Sequence, residues 1–167
     1  MCIRDSANMA RFAPILPIVG AETQFQPVSV EDVAKAAVLG IMGIAAPGIY
    51  ELAGLERDSF RGLMYRMLNI IQRRRLVLDV PIFAARIMAA SFEFGNKLTF
   101  GIVPVPLSSD QVKSLSIDNI PSGKFQGFEE LGIEPASMAS VLPEYLWPFR
   151  TSGQFADIKA SAKNLKP

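Results

Sequence analysis

Three tyrosines, Tyr50, Tyr65 and Tyr145, are the side chains in this sequence best suited to delivering a proton, and spacing decides whether any of them can. A phenol becomes a useful acid when a lysine four residues on shares its helix face and holds positive charge beside it. At that offset stand Gly54, Asn69 and Phe149, so none of the three has the partner. The chain has no histidine and one cysteine, Cys2, which removes imidazole acid–base schemes, Cys/His zinc sites and disulfide frameworks. Neighbouring carboxylates occur at Glu31-Asp32 and Glu129-Glu130, but adjacent helical positions point apart and share no proton site. They read as capping and solvated positions. The sequence identifies no catalytic, cofactor-binding or metal-ligating residue.

Anion-binding patterns are equally sparse. The stretch Gly40-Ile41-Met42-Gly43-Ile44-Ala45-Ala46-Pro47-Gly48 has the glycines of a phosphate cradle, yet they close a helix and precede a strand. A cradle needs the reverse order, because the amides that face a phosphate are those at a helix start. Arg73-Arg74-Arg75 is the one dense run of charge, at or just beyond a helix end. It either complements the last helical carbonyls or offers a contact to an anion or a lipid headgroup. The formal charge of +1, with Lys and Arg otherwise dispersed, argues against nucleic acid as a partner.

The elements that would position these residues follow from patterning. With 167 residues, 50% hydrophobic and 20% charged, the chain has the material for one domain with its own core. Phe60, Leu63, Met64, Met67, Leu68 and Ile71 form the stripe of an amphipathic helix entered through Asp58 or Ser59. Ser29 with Asp32 predicts a capping box, and Val33, Ala36, Ala37, Gly40 and Ile41 make one face of a helix ending near Gly43. A short strand pair around Phe25, Val28 and Val30 precedes that helix, and a strand at 48–54 follows it. A further strand is expected at 76–78 and a helix from Pro81 to about Phe94. Asn96–Pro106 reads as extended or loop, a short helix opens at Ser109, another brief helical stretch ends at Gly132, and Ala136–Leu146 forms a last helix disturbed by Pro143.

The stretch 82–106 is unusually apolar for a surface cap, and any part left exposed marks a binding face. The longest uncharged run, between Lys35 and Glu51, is interrupted by Pro47-Gly48 before it reaches the length of a membrane span. Residues 1–9 open with Met1-Cys2-Ile3-Arg4-Asp5-Ser6, which resembles a translated sequencing adapter, so they are expected to be a non-native or disordered leader. The body is placed at 10–152, and 153–167 reads as a disordered tail.

Taken in order, Phe25-Gln26-Pro27-Val28-Ser29-Val30-Glu31-Asp32-Val33-Ala34-Lys35-Ala36, Tyr50-Glu51-Leu52-Ala53-Gly54, Ser109-Asp110-Gln111-Val112, Asp118-Asn119, Leu131-Gly132-Ile133 and Leu142-Pro143-Glu144-Tyr145-Leu146 carry a resemblance. The chain resembles the C-terminal half of the atypical extended short-chain dehydrogenase/reductase family, and within it the accessory branch found in respiratory complex I and its proteobacterial relatives. The resemblance implies an α/β fold: the C-terminal part of a Rossmann-type domain with a mostly helical cap, its N-terminal nucleotide-binding half missing from this chain. It implies a parent that holds NADP or NAD and serves structure or assembly of the NADH:ubiquinone oxidoreductase. The alternative it leaves open is an NAD(P)-dependent epimerase/dehydratase or reductase acting on a sugar-nucleotide, sterol-like or quinone-precursor substrate.

By the same resemblance, Gln24, Phe25 and Gln26 border a substrate cleft. The fragment itself is not expected to bind the dinucleotide tightly, because the glycine turn would lie upstream. Complex I subunits or a lipid surface are the expected partners. The implied location is the bacterial cytoplasm, peripheral to the inner membrane, with the mitochondrial matrix side as the counterpart in eukaryotic relatives.

Overall fold

The computed structural model describes residues 3–98, 108–151, 153–155 and 161. In chain order the elements are α1 (Ile3–Phe12), β1 (Ile15–Val19), β2 (Gln24–Phe25), α2 (Val30–Ile41), β3 (Asp58–Ser59), α3 (Phe60–Ile70), β4 (Leu76–Val80), α4 (Ile82–Leu98), α5 (Ser109–Ser114) and α6 (Met138–Leu146). Two short 3-10 turns, Trp147–Phe149 and Gly153–Phe155, follow. Strands and helices alternate around a small parallel sheet, an α/β arrangement.

The amphipathic stripe read from the sequence becomes α3, the centre of the core. Ser59 caps it by accepting from the Gly62 amide at 3.1 Å, and Phe60, Leu63, Met64, Met67 and Leu68 are buried along it. Against them lie Ala7 and Ala10 of α1, Leu16 and Ile18 of β1, Val77 of β4, and Met138 and Leu146 of α6. Burial of each large apolar side chain here stabilises the fold by about 1.5–3 kcal/mol. A smaller cluster joins Val19, Ala85, Ala89 and Val112.

β1 and β4 run parallel, paired from Ile15 opposite Leu76 to Val19 opposite Val80. The inner face, Leu16, Ile18 and Val77, is buried, while Ile15, Pro17, Leu76 and Leu78 on the outer face are exposed. Parallel sheets are ordinarily covered on both faces, and a two-stranded sheet is marginal alone. Among the described residues, no third strand pairs with β1 or β4; Val19 and Val80, at one end of the outer face, pack on Ala85, Ala89 and Val112, while the rest of that face stays exposed.

Helix α2 shows the same imbalance. It buries Asp32 and Ala36, whereas Val30, Val33, Ala37 and Ile41 are exposed, Ile41 by 87%. Of the face expected to pack, only Ala36 does so.

Several expectations change in detail. The α2 capping box is half formed: Ser29 accepts from the Glu31 amide at 3.3 Å, but Asp32 turns inward to the chain near residue 136. The expected strand at 48–54 reduces to one bridge, Tyr50 with Gln126, and the Glu51 carboxylate beside it accepts from the Ser122 and Gly123 amides. The strand pair at 25–30 shortens to Gln24–Phe25, paired antiparallel with Asp58–Ser59. Helix α4 continues to Leu98, beyond the expected end at Phe94, and the stretch ending at Gly132 is a turn closed by the Leu131 amide on the Phe128 carbonyl. Helix α5 is capped by Ser108, one residue earlier than expected, with Gln111 completing the box.

Residues 3–9 are not outside the fold in the structure. They form most of α1, whose small Ser6, Ala7 and Ala10 let it approach α3 closely. Of the expected tail, 153–155 form a 3-10 turn and most of the remainder lies outside the described residues, as does 99–106 of the expected loop.

Candidate functional site

Gln24, Phe25 and Gln26 lie where three distant segments meet. The Gln24 amide donates to Asp118 Oδ1 at 2.8 Å, and its carbonyl accepts from the Asn119 amide at 2.8 Å. The Gln26 amide donates to the Asn119 carbonyl at 3.2 Å, while its side-chain Nε2 donates to the Gly54 carbonyl at 2.6 Å. Gln24 Oε1 accepts from Arg57 Nε at 3.3 Å, and its Nε2 donates to the Glu22 carbonyl. The Phe25 ring lies 5.7 Å from that of Phe60, tilted by 59°. The side chains thus hold 54–60 against β2, and the backbone of Gln24 and Gln26 holds 118–119. Gly54 is part of the same junction: a Cβ there would collide with the Pro27 carbonyl, so no larger residue fits without movement.

The arginine run resolves into individual roles. Arg73 Nε donates to the Phe149 carbonyl at 3.1 Å and Arg75 Nε to the Ala10 carbonyl at 2.8 Å. Arg150, from the other side, donates through Nε to the Ile70 carbonyl at 2.9 Å. The carboxyl ends of α1 and α3 and the turn after α6 are thus held together by guanidinium groups, which complement their partial negative charge. Partial burial, and then the nearby Arg75 and Arg11 charges, lowers the Arg73 pKa, as expected where cations crowd. Arg74 is exposed beside this cluster. The bonds of Arg73 and Arg75 go to the turn after α6 and to α1 rather than to the end of α3 that they follow.

Two carboxylates whose roles were not anticipated fasten α6. Asp32, 1% exposed, accepts from the Ala136 amide at 2.7 Å and from Lys35 Nζ at 2.8 Å. Glu56 Oε1 accepts from the Met138 amide at 3.2 Å while its Oε2 holds Arg66 Nη1 at 2.6 Å. Arg66 Nε also reaches Asp58 Oδ2 at 2.7 Å. A sequence signal for Asp32 exists in hindsight: an acid with Lys35 three residues on, in a helix otherwise mostly apolar.

A cavity of about 200 Å³ is lined by Leu39, Ile44, Tyr50, Gln126, Glu130 and Leu131, and one of about 230 Å³ by Ser29, Glu31, Val141, Glu144 and Tyr145. In the first, the Tyr50 hydroxyl donates to the Ala46 carbonyl at 2.9 Å, and neither lining includes a lysine to acidify a phenol. Among the described residues, no three His, Cys, Asp or Glu side chains gather closely enough to hold a metal ion.

The starts of α2 and α3 do not fit the pyrophosphate of a dinucleotide either. Helix α2 carries Glu31 and Asp32 in its first turn, and α3 follows Asp58, whose Oδ1 accepts from the Ser59 amide at 2.8 Å. Negative charge at these positions repels an anion that a bare helix start would attract.

An α/β domain with a small parallel sheet, two-stranded among the described residues, is the class that this geometry defines. No protein-family model matches the chain. It is similar to the mitochondrial NADH dehydrogenase (ubiquinone) 1 alpha subcomplex subunit 9 of Arabidopsis thaliana, with 31% identity over 143 residues. That match covers 83% of this chain but 36% of the plant protein, so the chain spans about a third of the relative's length. The similarity supports a relationship between this chain and that family of subunits. Among the described residues, no helix is long and apolar enough to cross a membrane.

Proposed function

We propose that this chain is the C-terminal part of an NAD(P)H-binding protein of Rossmann type that serves as an accessory component of the respiratory NADH:ubiquinone oxidoreductase. Its role there is structural or in assembly, peripheral to the membrane. The observation that carries this reading is the similarity to the plant subunit along most of the chain. Two structural features support it. Ile15, Pro17, Leu76 and Leu78 on the outer face of the β1–β4 sheet, and the α2 stripe, Val30, Val33, Ala37 and Ile41, are apolar and open, as the surfaces of a divided α/β core would be. The acidic groups at the starts of α2 and α3 repel anions, which agrees with a dinucleotide cradle in another part of the parent.

Affinity-tagging the longer protein that contains this chain, in the cells that encode it, tests the role. Purification from detergent-solubilised membranes is expected to bring NADH:ubiquinone oxidoreductase activity with it, and deletion of the gene to lower the amount of assembled complex. Recovery of the protein free of the complex, with assembly unchanged in the deletion strain, contradicts the proposal.

A further inference from the structure

Helix α4 is built inside out for a globular domain. Toward the protein it buries Ala85 and Ala89, two of its smallest side chains, against Val19 and Val112. Away from it, Phe83, Ile87, Ala90, Phe94 and Leu98 are exposed, Phe83 by 70% and Phe94 by 68%. Their spacings of four, three, four and four residues align them as one stripe along 17 residues, about 25 Å of helix. A packed surface helix normally shows the opposite distribution.

Charge on the helix is arranged to match. The stripe carries no acid, and Glu93 is turned away from it, its Oε1 accepting from the Ser109 amide at 2.7 Å. Arg86 is exposed, leaving a cation available on the outward side. The sequence that follows, Thr99 to Leu107, contains Phe100, Ile102, Val103, Val105 and Leu107 and no charged residue. A long apolar stripe bearing phenylalanine and aliphatic side chains, with a cation and no exposed acid, fits the boundary between headgroups and acyl chains of an anionic bilayer. The helix falls short of spanning one.

We propose that α4 is a membrane-surface helix, whose Phe83, Ile87, Phe94 and Leu98 insert into the interfacial layer of a bilayer containing anionic lipid while Arg86 meets the headgroups. This goes beyond the accessory-subunit reading and needs neither nucleotide nor partner protein, so the two can fail separately.

Flotation of the 167-residue chain with vesicles tests it. The chain is expected to float with phosphatidylcholine–phosphatidylglycerol vesicles and more weakly with phosphatidylcholine alone. Each of Phe83→Gln and Phe94→Gln lowers partitioning by about tenfold. Arg86→Gln lowers it about fivefold on the anionic vesicles only. Circular dichroism melting reports whether each variant is folded. Should the glutamine variants melt early, Phe94→Trp in a Trp147→Phe background keeps the stripe apolar and is expected to shift its emission to the blue when vesicles are added. A folded chain that stays unbound, binding indifferent to both phenylalanines, or a Phe94→Trp emission that does not move overturns the proposal. So does a stripe that instead mediates a dimer, seen as a mass change by sedimentation equilibrium with no vesicle binding.

Discussion

The Asp32 carboxylate and the Ala136 amide are 104 residues apart in sequence and 2.7 Å apart in space. Through that bond the first turn of α2 fixes the entry to α6, which supplies Met138 and Leu146 to the core. The bond is charge-assisted and its Asp32 side is buried, conditions under which a hydrogen bond contributes more than the usual net value.

Asp32→Ala is therefore expected to lower the free energy of unfolding by about 1–3 kcal/mol, because the Ala136 amide loses its acceptor in a partly buried place. Urea denaturation followed by circular dichroism measures it. Lys35→Ala, which removes only an exposed partner, should cost much less; equal losses from the two substitutions would mean that the ion pair, not the amide, matters.

Acid sensitivity follows from the same group. The hydrogen bond from Lys35 and then that from the Ala136 amide hold the Asp32 pKa below its ordinary value of 3.8. A carboxylate with a depressed folded-state pKa stabilises above its unfolded-state value, and that contribution disappears as pH falls through the folded-state value. Glu130, lowered chiefly by the Gly127 amide, acts in the same direction. Stability should thus decline as pH drops below about 4, and Asp32→Asn should flatten the decline. An unchanged slope in Asp32→Asn would remove Asp32 from the explanation.

Ser6 gives a test of α1. Its hydroxyl is buried with no hydrogen-bond partner, so Ser6→Ala is expected to raise stability by about 1 kcal/mol. If residues 3–9 stood outside the fold, the substitution would leave the urea midpoint where it was.

What the sequence revealed and what it concealed divide along physical lines. Helix α3 was legible from Phe60 to Ile71 because its burial is one-sided and periodic, and Ser59 marks its start. The caps at Ser29 and Ser59 were legible because they are local chemistry. Helix α1 was not, since Ser6, Ala7 and Ala10 pack by being small, which hydrophobic periodicity does not register. The roles of Asp32 and Glu51 depend on partners some 70 to 100 residues away, at Ala136, Ser122 and Gly123. The three arginines looked like one feature in the sequence and are separate devices in space, with Arg73 and Arg75 fastening different segments. Gln24 and Gln26, which the resemblance placed at a cleft, have their polar atoms engaged in joining β2 to its neighbours.

The central claim is that this chain completes a dinucleotide-binding domain whose phosphate cradle is carried by another part of the parent protein. Fluorescence titration of NADPH against this chain and against the longer protein containing it tests that claim most directly. The account predicts saturable binding, with enhanced nicotinamide emission, for the longer protein and none for this chain at the same concentrations. Equal affinity in both, or no binding by the longer protein, would contradict it.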